Sequence, residues 1–316
     1  MKETQPKMSF EFLRNQLEVN PQQTAPKLEN FIKEYMDKLE REGVILGLSG
    51  GLDSAVLASL CKRAVGPEKV LALIMPDKDS KKQHIKDAIN LANQLKIKTK
   101  LIDITPFIKK FGTLRLFPLN KIFLPKKFKE VLVKKAYKFF EKKTGETPFS
   151  ASLSGFKDKD YSFWLKNSNA YYRIKHRLRM VLLYLWAEKE NRLVVGAANK
   201  TEAKIGFFVK HGCDDATDIM PLLGLYKTQV RQLATFLQIP PEIINKAPSP
   251  DIIPGIIDEE AIGMPYETLD LVLESLESNL KSNEIAQKLN IKRQEVEKIK
   301  QLTKRSEHMR QIYTPV

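Results

Sequence analysis

The stretch Val44-Ile45-Leu46-Gly47-Leu48-Ser49-Gly50-Gly51-Leu52-Asp53-Ser54-Ala55 decides the fold. Its first five residues read as a short buried strand, and Ala55 to Ala64 as a helix. Ser49 to Ser54 is a glycine-rich turn joining the two. At such a junction free backbone N–H groups and the positive end of a helix face the same loop, so an anion, above all a phosphate, is the expected guest. The loop lacks the Gly-x4-Gly-Lys-Ser/Thr spacing of a Walker loop and the Gly-x-Gly-x-x-Gly dinucleotide spacing. It places two hydroxyls, two glycines and one carboxylate in six residues instead. The glycines let the backbone close around a pyrophosphate, the serines add donors, and Asp53 is a candidate Mg²⁺ ligand. The plainer alternative makes Asp53 a helix cap.

Outward from this stretch, helices alternate with apolar strands. Pro26 to Glu42 carries apolar residues every three or four positions, with Pro26 expected as its first helical residue. Val70 to Met75 and Thr99 to Ile104 read as strands, and Lys82 to Leu95 as the helix between them. Further on come a helix from about Tyr171 to Lys189, a strand Arg192 to Gly196, and a helix Tyr226 to Leu237. This order predicts an α/β fold: a Rossmann-like, doubly wound parallel sheet with helices on both faces. Helices near 259–263, 266–278, 283–289 and 292–305 add a helical C-terminal region. Residues 1–25 are expected to be an N-terminal extension, 26–310 one domain, and 311–316 a tail. The alternation breaks between about 112 and 167, where prolines, aromatics and lysines mark a basic insertion with one helix from Phe128 to Lys142.

The chain has 316 residues, 42% hydrophobic and 29% charged, enough for a sizeable core. That excludes a disordered chain, a collagen-like repeat and a disulfide scaffold. No apolar run of about 18 residues exists to span a membrane, and Met1-Lys2-Glu3-Thr4-Gln5-Pro6 leads into no secretory signal. Two cysteines, Cys61 and Cys213, without metal-ligand spacing fit a reducing, cytoplasmic setting. The net charge of +15 is concentrated, since residues 109–143 hold 12 Lys/Arg against Glu130 and Glu141. The same segment carries Phe111, Phe117, Phe123, Phe128, Tyr137, Phe139 and Phe140. Such an aromatic content predicts that part of it packs against the body, leaving a charged face for an anionic ligand, a partner, or solvent.

The Ser49–Ser54 loop resembles the pyrophosphate loop of the ATP pyrophosphatases, and within them it is most similar to the ammonia-dependent NAD synthetases. The resemblance continues in Val194-Val-Gly-Ala-Ala-Asn199-Lys-Thr-Glu202-Ala-Lys-Ile-Gly206-Phe-Phe-Val-Lys210. It then runs through Asp218-Ile-Met-Pro-Leu-Leu-Gly-Leu-Tyr-Lys227, Lys246-Ala-Pro-Ser249-Pro-Asp251, Asp258-Glu259 and Ser306-Glu-His308. It covers residues 26–110 and 168–310. It implies amidation of nicotinate adenine dinucleotide by ammonia with ATP as co-substrate, through an acyl-adenylate, releasing AMP and pyrophosphate.

The resemblance also assigns roles. Gly47, Leu48, Ser49, Gly50, Gly51, Leu52, Asp53, Ser54, Lys227 and Ser249 would bind ATP, and Asp53 and Glu202 would ligate Mg²⁺. Arg177, Lys210, Asp218 and His308 would bind the acid substrate, with Asp53, Lys210 and Asp218 taking part in catalysis and Asp218 as candidate acceptor of the ammonia proton. Arg179, two residues from Arg177 on one helix, faces elsewhere and is expected to pair with protein. Ala197, Arg173 and Met309 depart from the family's hydroxyl, asparagine and lysine, and the loop from Lys210 to Asp218 is one residue longer.

Some 25 residues before the first expected core helix are too few for a glutaminase domain, so ammonia is expected free or from a separate glutaminase subunit. The resemblance further implies a homodimer. The alternative within the same chemistry is amidation of nicotinate mononucleotide or another carboxylate. Two more distant readings start from the positive charge. A tRNA-modifying enzyme would show a cysteine pair or an RNA-binding domain. In a DNA-binding module, Glu284–Leu289 and Lys292–Lys300 would act as a helix-turn-helix, although two packed core helices give the same pattern. Neither nucleic acid nor a membrane is expected as a partner.

Overall fold

The computed structural model describes residues 10–116, 125–153, 159–248 and 255–313. Among them four strands form one parallel sheet: β1 (Gly43–Gly47), β2 (Val70–Ile74), β3 (Lys98–Leu101) and β4 (Arg192–Val194), in the order β3-β2-β1-β4. Val44 lies opposite Val70 on one side and Leu193 on the other. Strand side chains alternate between faces. Val44, Leu46, Val70, Ala72 and Ile74 join a core built with the helices Pro21–Lys38, Leu52–Val65, Lys82–Leu95 and Lys227–Phe236. Ile45, Leu71, Leu73 and Val194 join a second core under the long helix Lys159–Lys189. The doubly wound sheet expected from the alternation is therefore present, with both faces covered.

Element ends differ from the expectation where a stronger local signal competes. The first core helix begins at Pro21, because the Asn20 side chain caps it by accepting from Gln23 N at 3.2 Å. Pro26 sits inside that helix, and Ala25 is already fully buried in the core. Residues 10–20 are likewise part of the folded body. Leu13 is fully buried, and the backbone carbonyl of Leu17 accepts from Gln232 Nε2 at 2.9 Å. The third strand stops at Leu101 on the sheet edge. Its continuation turns away as Asp103 accepts from Thr105 N at 2.8 Å to open the helix Thr105–Lys110.

The insertion contributes the helices Lys126–Thr144 and Pro148–Leu153, and the long helix starts at Lys159, twelve residues before the expected Tyr171. Val133, Tyr137 and Phe140 are buried, while Phe111, Phe128 and Phe139 remain exposed. Phe117 and Phe123 lie outside the described residues. Tyr137 Oη donates to the Ala261 carbonyl at 3.2 Å, and Lys134 pairs with Glu260 at 3.1 Å. The C-terminal helices Asp258–Ile262, Tyr266–Glu277, Ser282–Leu289 and Arg293–Arg305 gather around a separate core. Ile285, Val296, Ile299 and Leu302 are buried in it, so the two helices of the helix-turn-helix pattern spend their apolar faces on each other and on Tyr266–Glu277. Among the described residues no helix is long and apolar enough to cross a membrane.

One buried ionic cluster fixes the chain just past β2. Lys175, 1% exposed, donates to Asp77 Oδ1 at 3.1 Å and Asp79 Oδ2 at 2.7 Å. Arg179 donates to the Met75 carbonyl at 3.0 Å and to Asp77 at 3.1 Å, and so pairs with protein as expected. Burial by itself would raise the Asp79 carboxyl, but the Lys175 charge and hydrogen bonds from Lys175 and Tyr171 outweigh it and hold it at about 2. A carboxylate with a depressed folded-state value stabilises the fold above its unfolded value, and that contribution disappears as pH falls through the folded value. Thermal melts should therefore show about 2 kcal/mol of stability lost between roughly pH 4 and pH 2 through this group. In Asp79→Asn that part of the slope should be absent; an unchanged slope would contradict the assignment.

Candidate active site

β1 and β4 are neighbours whose chain connections diverge, which opens a crevice at their carboxyl ends. The Ser49–Ser54 loop follows β1 there, and the motif around Asn199 and Glu202 follows β4. Gly50 has φ +77°, and a Cβ at this position would run into the His84 backbone carbonyl, so only glycine fits. The loop is closed on itself by hydroxyls. Ser54 Oγ meets Ser49 Oγ at 3.1 Å and donates to the Gly51 carbonyl at 3.1 Å, and Ser49 Oγ accepts from Gly51 N at 3.2 Å. Lys246 Nζ donates to the Gly50 carbonyl at 2.7 Å and pairs with buried Asp87, anchoring the loop from outside. Leu52–Val65 begins directly after Gly51, so its N-terminal N–H groups point into the crevice.

Beside this loop lies a charge cluster of unusual density. Lys227, 3% exposed at the first turn of its helix, contacts Asp53 Oδ2 and, at 3.4 Å, Glu202 Oε1. A cation at a helix N-terminus is unfavourable by itself, and these two carboxylates offset that cost. Asn199 is fully buried and joins them: its Nδ2 donates to Asp53 Oδ1 at 3.1 Å, and its Oδ1 caps Glu202 N at 3.0 Å. Asp258 stands behind, 5% exposed, with Oδ2 accepting from Tyr266 Oη at 3.0 Å. Its other oxygen, Oδ1, is buried without a hydrogen-bond partner among the described residues.

Three carboxylates and one ammonium leave this pocket short of positive charge. Burial, then the charges of Asp53, Asp258 and Asp214, push the Glu202 carboxyl up to about 8 against the pull of Lys227. Asp258 rises to about 6, first by burial and then by Asp53 and Glu259. Burial would lower the Lys227 ammonium, but Asp53, Glu202 and Asp258 hold it above the usual lysine value. A hard divalent cation suits oxygen donors in this setting, and the orphaned Asp258 oxygen shows that Lys227 does not satisfy the cluster.

A cavity of about 860 Å³ opens above the loop. Of the residues singled out from the sequence, Gly47, Leu48, Ser49, Gly51, Leu52, Asp53, Ser54, Glu202 and Lys227 line it. Gly50 lies just behind the lining, and Ser249 falls outside the described residues. The acid-side residues are placed differently. Arg177 donates to the Lys210 carbonyl at 3.3 Å, and Lys210 Nζ donates to the carbonyls of His308 at 2.9 Å and Gln311 at 2.6 Å. These three form a surface patch outside the cavity lining. Asp218 is exposed and committed to the backbone, accepting from Val194 N at 2.8 Å and Tyr184 Oη at 3.0 Å.

In its stead Asp214 faces the cavity, held by His176 Nδ1 at 2.7 Å. Sequence reasoning passed over Asp214, His176, Asn199, Asp258 and Lys246 as functional positions. The N-cap preference of Asn199 and the acidic pair Asp214–Asp215 in a glycine-flanked loop were the available signals. Arg173 and Ala197 line the cavity, whereas Met309 is buried and packs near Gly206. Of the cysteines, Cys61 is fully buried in the core, as expected of a small apolar residue. Burial first, then Asp214, pushes the Cys213 thiol well up.

The charge deficit has a measurable consequence. Lys227→Met removes the ammonium and leaves buried carboxylates facing one another, costing about 3 kcal/mol in metal-free buffer. Added Mg²⁺ should recover a large part of that loss, and recover more at pH 9 than at pH 7, since Glu202 must give up its proton. Melting curves with and without Mg²⁺ test this; a loss that Mg²⁺ leaves untouched would remove the cation from the cluster.

Comparison with known proteins places this geometry in a family. Residues 24–121 and 122–313 match NAD synthase. The NH(3)-dependent NAD(+) synthetase of Thermotoga maritima is 44% identical over 250 residues, 79% of this chain and 85% of that protein. The one from Methanocaldococcus jannaschii is 35% identical over 286 residues, 90% of this chain and 93% of that protein. A solved structure, the NMN synthetase from Francisella tularensis, superposes with a TM-score of 0.69 at 28% identity, covering 95% of this chain and 99% of that one. With a switch-point loop, a carboxylate-lysine cluster and matches spanning nearly its whole length, the chain belongs to the NAD synthase family.

Proposed function

We propose that this protein amidates nicotinate adenine dinucleotide with ammonia and ATP, forming NAD with release of AMP and pyrophosphate. The observation that carries the reading is the Asp53–Lys227–Glu202 cluster at the mouth of the Ser49–Ser54 loop, in a chain 44% identical to an enzyme named for that reaction. A carboxylate is a poor electrophile because an oxide would have to leave. Attack of its oxygen on the α-phosphorus of ATP expels pyrophosphate and turns the leaving group into AMP. Ammonia then attacks the acyl carbon, AMP departs, and one proton of the amine must be accepted nearby.

The chain's residues mainly position and neutralise. The Gly50–Gly51 backbone, the Ser49 and Ser54 hydroxyls and the first turn of Leu52–Val65 receive the pyrophosphate oxygens. Lys227 turns from its carboxylates toward the phosphates. Asp53 and Glu202 would hold a Mg²⁺, with Asp258 completing the oxygen set, and the ion would neutralise charge developing on the departing pyrophosphate. Asp214 lines the cavity, which Asp218 does not. Arg177 and Lys210 make one cationic patch beside His308, which fits an acid substrate bound across the interface of a homodimer.

The second reading is amidation of the mononucleotide, favoured by the similarity to the Francisella tularensis protein named NMN synthetase and by Arg173 lining the cavity. Purified protein supplied separately with nicotinate adenine dinucleotide and nicotinate mononucleotide, each with ATP and ammonium, decides between them. The dinucleotide should give the higher kcat/KM; preference for the mononucleotide reverses the assignment. Glutamine in place of ammonium should give little product. Asp53→Asn and Glu202→Gln should each slow pyrophosphate release by roughly 10²- to 10³-fold while circular dichroism stays native. Near-normal turnover in either would place the metal elsewhere.

A further inference from the structure

The wall of the cavity made by the long helix and the loop after Phe208 carries a second group of donors. We propose that His176, Cys213 and Asp214 form a binding site for a zinc-class divalent cation, built on different residues from the Asp53–Glu202 pair. Their donor atoms lie within 4.8 Å of one another. Cys213 Sγ is 3.5 Å from His176 Nδ1 and 3.5 Å from Asp214 Oδ1, and His176 Nδ1 is 2.7 Å from Asp214 Oδ2. Zinc bonds of about 2.3 Å to sulfur and about 2.0 Å to nitrogen or oxygen, set tetrahedrally, require sulfur-to-ligand separations of about 3.5 Å. The edge from Cys213 Sγ to His176 Nδ1 has that length already. Asp214 meets the sulfur through Oδ1 and the imidazole through Oδ2, so its carboxylate has to turn until one oxygen serves both edges.

The scaffold is also in register. Cys213 N donates to the His176 carbonyl at 3.1 Å, which fixes the loop against the long helix. Gly212 N donates to the Val209 carbonyl at 2.8 Å and Ala216 N to the Gly212 carbonyl at 2.9 Å, so the turn holds Cys213 and Asp214 on its inner side. A Cβ on Gly212 would crowd His176 Cβ at 2.9 Å, so the close approach needs glycine. His176 is 9% exposed, and its Nε2 is buried with no hydrogen-bond partner among the described residues. With Nδ1 on a metal, the ring proton must sit on Nε2, where a water is the acceptor left to it.

The same geometry argues against a nucleophilic triad. The thiol and the carboxylate both face Nδ1, whereas a relay needs one partner on each ring nitrogen. The mixed sulfur, nitrogen and oxygen set selects a borderline-soft ion over Mg²⁺. Binding converts the Cys213 thiol to thiolate and releases its proton to solvent, forming one metal–sulfur bond. Three protein ligands leave a fourth position for water. Occupancy would cross-link the loop following Phe208 to the long helix and stiffen one wall of the cavity.

Co²⁺ is the probe, added to the metal-free full-length protein and followed by absorption. One equivalent should bind with a near-ultraviolet thiolate-to-metal charge-transfer band, release a proton, and be displaced by Zn²⁺ but not by excess Mg²⁺. Cys213→Ser should lose the band, and Cys213→Ser and His176→Gln should each weaken binding by roughly tenfold or more. Asp53→Asn should keep both the band and the affinity. Co²⁺ binding without the band, a band that survives in Cys213→Ser, or one lost in Asp53→Asn would overturn the site. Circular dichroism on each variant separates lost ligation from lost folding, and His176→Gln leaves the thiol intact should Cys213→Ser unfold.

Discussion

The buried ammonium of Lys227 is the point on which the rest of this molecule turns. An unpaired charge at that depth would be untenable, and its position at the head of a helix makes it worse. The fold answers with Asp53 from the loop after β1 and Glu202 from the segment after β4, so two strands that diverge in the chain are tied at their carboxyl ends. Removing ligands leaves the cluster overcharged with carboxylate. That is a useful state for a site awaiting a polyphosphate and a cation, because Lys227 has anions to trade for better ones.

Keeping Lys227 there falls to the C-terminal helices. Asp270, fully buried on Tyr266–Glu277, accepts from Thr201 Oγ1 at 2.6 Å and from Thr228 N at 2.9 Å, while Thr201 Oγ1 accepts from Lys227 N at 2.9 Å. Asp270 thus satisfies the Thr228 N–H directly and holds the Thr201 hydroxyl that takes the Lys227 N–H, which links the Lys227–Phe236 helix to Lys200–Ile205. The helical region that looked like an appendage in the sequence is what sets the height of Lys227. Its two cores, one around the sheet and one around Tyr266, meet at these hydrogen bonds.

Much of this was legible in the residues. The strand–loop–helix at Val44–Ala64 has a short range of explanations, and period-two alternation in buried strands against period-three-to-four helices fixed the layering. Lys227 carried its own paradox, a cation at the start of a helix, whereas Glu202 taken alone reads as a solvated helix start. What stayed hidden depends on distance in space. Pro26 reads as a helix start on paper, and only the Asn20 cap and the burial of Ala25 show that the helix begins earlier. Asp214 and Asp218 are equivalent in composition, but one backbone amide, Val194 N, takes Asp218 out of the cavity, and His176 draws Asp214 in. The Asp258 oxygen became conspicuous only once its partners could be counted.

The basic insertion shows the same division between pattern and place. Its lysines signalled an anion or a partner, its aromatics signalled packing, and neither said against what. Val133 and Tyr137 pack toward Ile256 and Ala261, Phe140 packs edge-on against Tyr161, and Tyr137 Oη reaches the Ala261 carbonyl in the Asp258–Ile262 helix. Leu132, Ala136, Phe139 and Trp164 line the cavity, although Leu132, Phe139 and Trp164 are each 42% exposed or more. An apolar rim open to water is costly unless something apolar covers it. The insertion therefore contributes an apolar wall to the cavity, through Leu132, Ala136 and Phe139, while Lys135, Lys138, Lys142 and Lys143 on the same helix stay exposed to solvent.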